Sequence, residues 1–155
     1  MRIALVAALV FATACSSSSP TSTQVSKDEA KQLLIDRNWL DRMPQTERDH
    51  LFVYRFVPTM GGGVFQDRTL FKGTFELFTF AVDGGDIKFN LPETGEKLSR
   101  AFRIEEVDGP APFDLKLTIE GDPRGPGVYF GSRSETDRDG HVLDQRLAAR
   151  AAELH

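Results

Sequence analysis

Thr74-Phe75-Glu76-Leu77-Phe78-Thr79-Phe80-Ala81-Val82-Asp83-Gly84-Gly85-Asp86-Ile87-Lys88-Phe89-Asn90-Leu91-Pro92 decides the fold of this chain. Ile87, Phe89 and Leu91 alternate with Lys88 and Asn90, the period of a strand with one buried face. Thr74–Val82 is strand-like too, but Phe75, Leu77, Phe78 and Phe80 put apolar groups on both of its faces. Its outer face therefore needs a cover, for which the C-terminal helix is the candidate. Asp83-Gly84-Gly85 between the two runs is a hairpin signal, and Pro92-Glu93-Thr94-Gly95 ends the second.

The same grammar extends in both directions. Leu51–Val57 alternates around Phe52, Tyr54 and Phe56, and Val64–Phe71 follows a Gly61-Gly62-Gly63 turn. Phe102 and Ile104 alternate with Arg103 and Glu105. Phe113, Leu115, Leu117 and Ile119 alternate with charged and polar residues, and Val128–Ser132 closes the series. Trp39 marks a short first strand. No long helical pattern separates these runs, which excludes βαβ crossovers, and hairpin-length links imply antiparallel neighbours. The expected fold is all-β and mainly antiparallel: a seven- or eight-stranded up-and-down meander barrel, with an open sandwich as its rival. A short helix precedes it from Lys27 to Ile35, where Ser26 and Glu29 form a capping box and Ala30, Leu33 and Leu34 make one apolar stripe. A second helix is expected over 139–155, with Val142, Leu143, Leu147, Ala151 and Leu154 near one face.

The chain has 155 residues, 40% hydrophobic and 27% charged, with a net charge of −4. That is one domain with a sizeable core, and the charge argues against a nucleic-acid binder. Twelve Phe against two Tyr and one Trp is the unusual ratio. The single cysteine excludes an internal disulfide framework. Met1-Arg2 followed by apolar Ile3–Phe11 and small Ala12-Thr13-Ala14 is the signal-peptide pattern, too short to span a bilayer as a mature helix. Cys15 stands directly after it. Ala12-Thr13-Ala14-Cys15 resembles the lipobox of bacterial lipoproteins, which implies cleavage before Cys15 and acylation of its sulfur. Ser16 after the cysteine implies, by the same resemblance, the periplasmic side of an outer membrane. Ser16–Thr23 is polar and flexible in composition, a tether. The expected organisation is 1–14 signal peptide, 15–26 lipidated cysteine and tether, 27–133 barrel with its leading helix, and 134–155 loop and helix.

No catalytic constellation stands out, and the expectation is no enzyme and no cofactor. His50, His141 and His155 have no metal-ligand spacing, and no G-x-S-x-G elbow is present. Asp137, Asp139 and Gly140 sit where a calcium loop wants its third, fifth and sixth positions, but Arg146 stands where it wants its bidentate glutamate. The expectation there is a solvated Asp-Gly turn before the last helix, and no metal. The apolar faces offer Phe75, Leu77, Phe89, Phe102, Ile104, Leu115 and Leu117 for the barrel interior, either as lining of a pocket for a small apolar ligand such as an acyl chain or as a plugged core. Trp39-Leu40-Asp41-Arg42-Met43-Pro44, the aromatic strand Thr74–Phe80, Phe113-Asp114-Leu115-Lys116-Leu117 and Pro123-Arg124-Gly125-Pro126 with Tyr129 resemble a group of uncharacterised bacterial lipoproteins with a lipocalin- or calycin-like barrel, over about residues 37–133. The resemblance implies a barrel closed at one end by Trp39 with Arg133 packed over it, and no transferable activity. Two functions follow as expectations: a membrane-anchored barrel binding a small apolar ligand, or a plugged barrel that binds an envelope protein or the cell wall, for example through the Gly121–Gly127 loop.

Overall fold

The computed structural model describes residues 22–155. The signal segment, Cys15 and the tether to Thr21 lie outside the described residues. Nine strands form: β1 Thr23–Gln24, β2 Asn38–Leu40, β3 Leu51–Val57, β4 Gly62–Arg68, β5 Gly73–Asp83, β6 Asp86–Leu91, β7 Glu96–Glu106, β8 Leu115–Ile119 and β9 Val128–Gly131. From β2 to β9 every strand pairs antiparallel with the next, and β9 returns to β2 through Leu40↔Phe130. The result is a closed eight-stranded meander barrel, compatible with a lipocalin-like fold. β1 stands outside the ring on the flank of β7. Closure removes most strand edges, which an open sandwich would have to protect.

Two long strands turn the corners. β5 pairs with β4 through Gly73–Phe78 and with β6 through Thr79–Asp83. β7 likewise pairs with β6 through Glu96–Ala101 and with β8 through Phe102–Glu106. At the β4–β5 corner, a Cβ on Gly62 would collide with the Phe78 carbonyl, and one on Gly63 with the Phe78 ring. These glycines belong to β4 itself. The sequence expectation of a turn there is corrected: the turn is a 3₁₀ segment, Pro58–Met60, closed by Gly61 at φ 81°.

The interior is packed with rings. Tyr54 stands at its centre, with centroids 4.7 Å from Phe65, 5.2 Å from Tyr129 and 5.7 Å from Phe78. Phe56 lies 5.5 Å from Phe78 and 5.1 Å from Phe80, and Phe78 lies 5.5 Å from Phe89. Tilted and edge-on pairs dominate, the arrangement that ring quadrupoles favour. Ile87, Leu91, Phe102, Ile104, Leu115, Leu117 and Ile119 fill the remaining layers. Helix α1, Lys27–Leu34, caps one end with Ala30, Leu33 and Leu34, and its N-cap Ser26 accepts from the Glu29 amide at 3.2 Å. Trp39 is fully buried below it and donates from Nε1 to the Leu34 carbonyl at 3.0 Å.

Helix α2, His141–Glu153, lies on the outside of the barrel. Leu143 and Leu147 pack over Leu40 of β2, Leu51 and Val53 of β3, and the loop residues Leu70 and Phe113. Phe113 is therefore under the helix and outside β8, where sequence alternation had put it in a strand. The helix covers the β2–β3 wall and not β5, which corrects the cover expected for Thr74–Val82. A buried polar latch sets this choice. Asp137 accepts from the amides of Gly140 (2.9 Å) and Leu143 (3.0 Å) at the helix start and from Asn38 Nδ2 (2.7 Å). Arg55 Nη2 donates to the carbonyls of Asp137 and Arg138, and Arg146 pairs with Glu135. The expectation of a solvated turn is thus corrected for Asp137, which is buried and caps the start of the helix. Burial alone raises the Asp137 carboxyl, but Asn38, the helix amides and Arg55 outweigh it and hold it below the usual range.

Two outcomes test this packing. Phe78→Ala, inside, lowers stability by about 3–5 kcal/mol, whereas Phe75→Ala, outside on the same strand, changes it by less than about 0.5 kcal/mol, read as urea midpoints. A carboxyl with a depressed folded pKa stabilises above its unfolded value, near 3.9, and that stability is lost as pH falls through the folded value. Asp137→Asn therefore destabilises at pH 7, and its deficit against wild type shrinks as pH drops below about 4. A deficit independent of pH down to 2 contradicts the latch.

Candidate functional site

The residues expected in the interior divide by strand parity. Phe89, Phe102, Ile104, Leu115 and Leu117 are buried in the core as read from the sequence. Phe75 and Leu77 are not: they are 68% and 58% exposed on the outer face, and Phe78 takes the interior position. The reason is the β4–β5 register, which sets Phe75 opposite Gln66 and Leu77 opposite Val64 on the outside, while Glu76 and Phe78 turn inward opposite Phe65 and Gly63. A strand apolar on both faces gives no parity of its own, and Phe75 was therefore assigned to the wrong side.

The plug also changes hands. Arg133 does not cover Trp39; it leaves the end of β9 at the surface and pairs with Glu29 (2.7 Å) and Glu106. Arg37 takes the place beside the tryptophan. Its Nε donates to the Leu33 carbonyl at 2.9 Å, and its Nη1 to the carbonyls of Ser132, Arg133 and Glu135. Gly131 brings both side chains together, since a Cβ there would lie 3.0 Å from the Trp39 ring and 3.2 Å from Arg37 Cδ. Burial lowers the Arg37 pKa, against the raising effect of Glu135 and Asp114. The signal was available two residues before the tryptophan, in Arg37 of the Asp36-Arg37-Asn38-Trp39 run.

The opposite end is closed by the Gly121–Gly127 loop, folded inward. Asp122 accepts from both interior phenols, Tyr54 at 2.8 Å and Tyr129 at 2.6 Å, and from the Arg124 amide at 3.0 Å. Burial, then the Asp122 charge, pushes both phenols well above their ordinary pKa, and they remain donors. A Cβ on Gly125 would collide with the Tyr129 hydroxyl. Arg124 pairs with Glu76 at 2.8 Å across the mouth. Among the described residues no group of three or more His, Cys, Asp or Glu is gathered as a metal site.

Larger depressions of about 470 and 430 Å³ lie over β5–β7 and beside Lys31 and Ile35, but the exposed large apolar side chains gather on the outer wall at β4–β5. Met60 (66% exposed), Leu77 and Pro92 border a depression of about 210 Å³ floored by Gly62 and Gly63. Phe75 continues the apolar surface along β5, and Phe71 is exposed in the turn before it. The backbone of β5 is open here as well. Asp83 and Asp86 close a two-residue turn with Gly84 at φ 60°, so odd residues of β5 face β6 and even ones face β4. The β4–β5 turn gives the same parity, since the Thr69 amide donates to the Lys72 carbonyl at 2.7 Å and Asp67↔Thr74 is the next bonded pair. Gly73, Phe75 and Leu77 thus point their amides and carbonyls towards the β6 side, where pairing stops at Thr79↔Asn90. The residue that would continue β6 opposite Leu77 is Pro92, which has no N–H to give.

Comparison with family models, with curated proteins and with solved structures found no match to this chain. Function therefore rests on the chain's own geometry. Hydrogen exchange tests that geometry: in dilute solution the amides of Phe75 and Leu77 exchange at least about tenfold faster than those of Glu76 and Phe78, which face β4. Equal protection at all four positions contradicts the register.

Proposed function

We propose that the chain is a lipoprotein of the bacterial envelope whose filled barrel is a docking module. Cys15 carries the lipid, the Ser-rich stretch is the tether, and the β4–β5 wall receives an envelope protein. The observation that carries this reading is the inversion at β5: the interior is occupied by Tyr54, Phe56, Phe78 and Phe89, while Phe75, Leu77 and Met60 stand exposed on one outer wall. A carrier of a small apolar ligand needs the interior empty. Contiguous exposed apolar surface, in contrast, is a mark of protein contact. Orientation supports the anchor. Ser22, β1 and α1 all lie at one end of the barrel, and Ser22 Oγ donates to Glu105 at 2.9 Å. A tether ending there leaves the β4–β5 wall facing sideways into the periplasmic space of the outer membrane.

A pair of variants tests both halves. Cys15→Ala moves the protein from the membrane fraction to the soluble fraction, and continued sedimentation with membranes contradicts the anchor. A photoreactive side chain at position 75 gives discrete protein adducts in intact cells, and one at Lys88, outward on β6, gives few. Equal labelling at both positions contradicts the docking wall.

A further inference from the structure

The chain towards Cys15 leaves the barrel at the α1 end. There Gln24 pairs with Glu105, the Val25 amide donates to the Ile104 carbonyl at 3.0 Å, and Ser22 Oγ donates to Glu105 at 2.9 Å. Residues 16–21 separate Ser22 from Cys15, and that connection spans at most about 25 Å. A lipid on Cys15 therefore keeps this end within one short tether of the bilayer. Resting on the anchor of the reading above, we infer that the end itself sits on the lipid surface, through the Pro58–Met60 turn and the apolar depression between that turn and α1.

The turn and the helix share this end because β3 finishes beside the end of α1. Ile35 bridges Phe56, and the Asp36 amide donates to the Phe56 carbonyl at 2.8 Å. Pro58, Thr59, Met60 and Gly61 are all exposed and none is charged, with Met60 66% exposed. Beside them the depression of about 430 Å³ is lined by Ile35, Pro58, Phe80 and Val82, with Lys31 its one charged residue. Lys27 stands one helical turn before Lys31, and both are exposed. An apolar turn flanked by lysines suits a lipid interface. Met60 and Pro58 enter below the headgroups, while the lysine stems lie along apolar surface and their ammonium groups meet lipid phosphates.

The acids of this end are mostly engaged or distant. Asp83 is bound to Lys88 at 2.7 Å, and Glu29 and Glu106 share Arg133. Asp108 lies in the β7–β8 loop, four strands round the ring from the turn. Asp28 remains on α1, turned about 100° from Lys27. Phe71 is also exposed, but at the far end, beyond the seven residues of β4, about 23 Å. Proximity to the anchor thus selects the Pro58–Met60 turn. One methionine and a turn are too little to hold a protein on a membrane; the anchor supplies the local concentration that so small a contact needs. The barrel then stands upright, with Met60 at the foot of the β4–β5 wall and Phe75 lifted away from the lipid.

The test uses the full acylated chain in vesicles of phosphatidylethanolamine with a minor fraction of phosphatidylglycerol and a nitroxide-labelled lipid. Cys15 is the only cysteine, and its acylated sulfur takes no thiol-directed fluorophore, so Met60→Cys and Lys72→Cys are each labelled at one place. The lipid quenches the fluorophore at 60 at least about threefold more than the one at 72, in the turn at the far end. Adding Thr59→Glu, which puts a charge on the exposed turn, cuts the quenching at 60 at least about twofold. Equal quenching at 60 and 72 in vesicle-bound protein, or quenching at 60 that Thr59→Glu leaves unchanged, overturns the lipid contact and leaves the anchor standing. Wild type that takes the fluorophore has a free Cys15, which removes the anchor and this inference with it.

Discussion

The position of Tyr54 is the constraint on which the rest of this molecule depends. Its ring contacts five others, those of Phe56, Phe65, Phe78, Phe89 and Tyr129. These come from β3, β4, β5, β6 and β9, so one side chain ties most of the circumference together. Its hydroxyl shares Asp122 with Tyr129, which draws the Gly-rich loop over the mouth. At the other end Trp39 hangs from the Leu34 carbonyl of α1. An eight-stranded barrel has room for little more than its own side chains, and here they are aromatic.

The outside is divided unequally. The latch of Asn38, Arg55, Glu135, Asp137 and Arg146 fixes α2 over β2 and β3. Its charges are compensated by partners and by helix amides, which is the condition for burying them at tolerable cost. The helix therefore cannot also cover β5. Pro92 then stops β6 from pairing with the lower half of β5, and Gly62 and Gly63 let β4 approach it closely. Uncovered apolar side chains and an unpaired edge thus coincide at Phe75 and Leu77, through separate local causes.

Much of the fold was legible. Clean alternation in Ile87–Leu91 and Leu115–Ile119 fixed both strand and inner face. The hairpin at Asp83-Gly84-Gly85 and the cap of the first helix followed from residue types with specific backbone roles. The meander itself followed from turn spacing. Illegible parts had physical reasons. Phe75 and Phe78 differ by an odd number of positions, so local pattern cannot say which one is inside; only the long-range pairing with Gly63 and Gln66 decides it. Arg37 and Arg133 both lie close to the tryptophan end, and the winner depends on which carbonyls of Ser132–Glu135 come within reach. Phe75 and Leu77 read as interior, because exposed phenylalanine on a strand is uncommon and the expected helix cover lies over β2 and β3 instead. Cys15 remains a reading of the sequence, outside the described residues.

The barrel is filled by its own side chains. Native mass spectrometry of the chain isolated from a bacterial periplasm measures this most directly. A filled barrel gives the bare polypeptide mass, plus the anchor's own lipid where Cys15 is retained, with no further small molecule at any gentle activation energy. A stoichiometric non-covalent lipid or other apolar compound that survives Phe75→Ser but is lost on Phe89→Trp would place a pocket inside the barrel and contradict it.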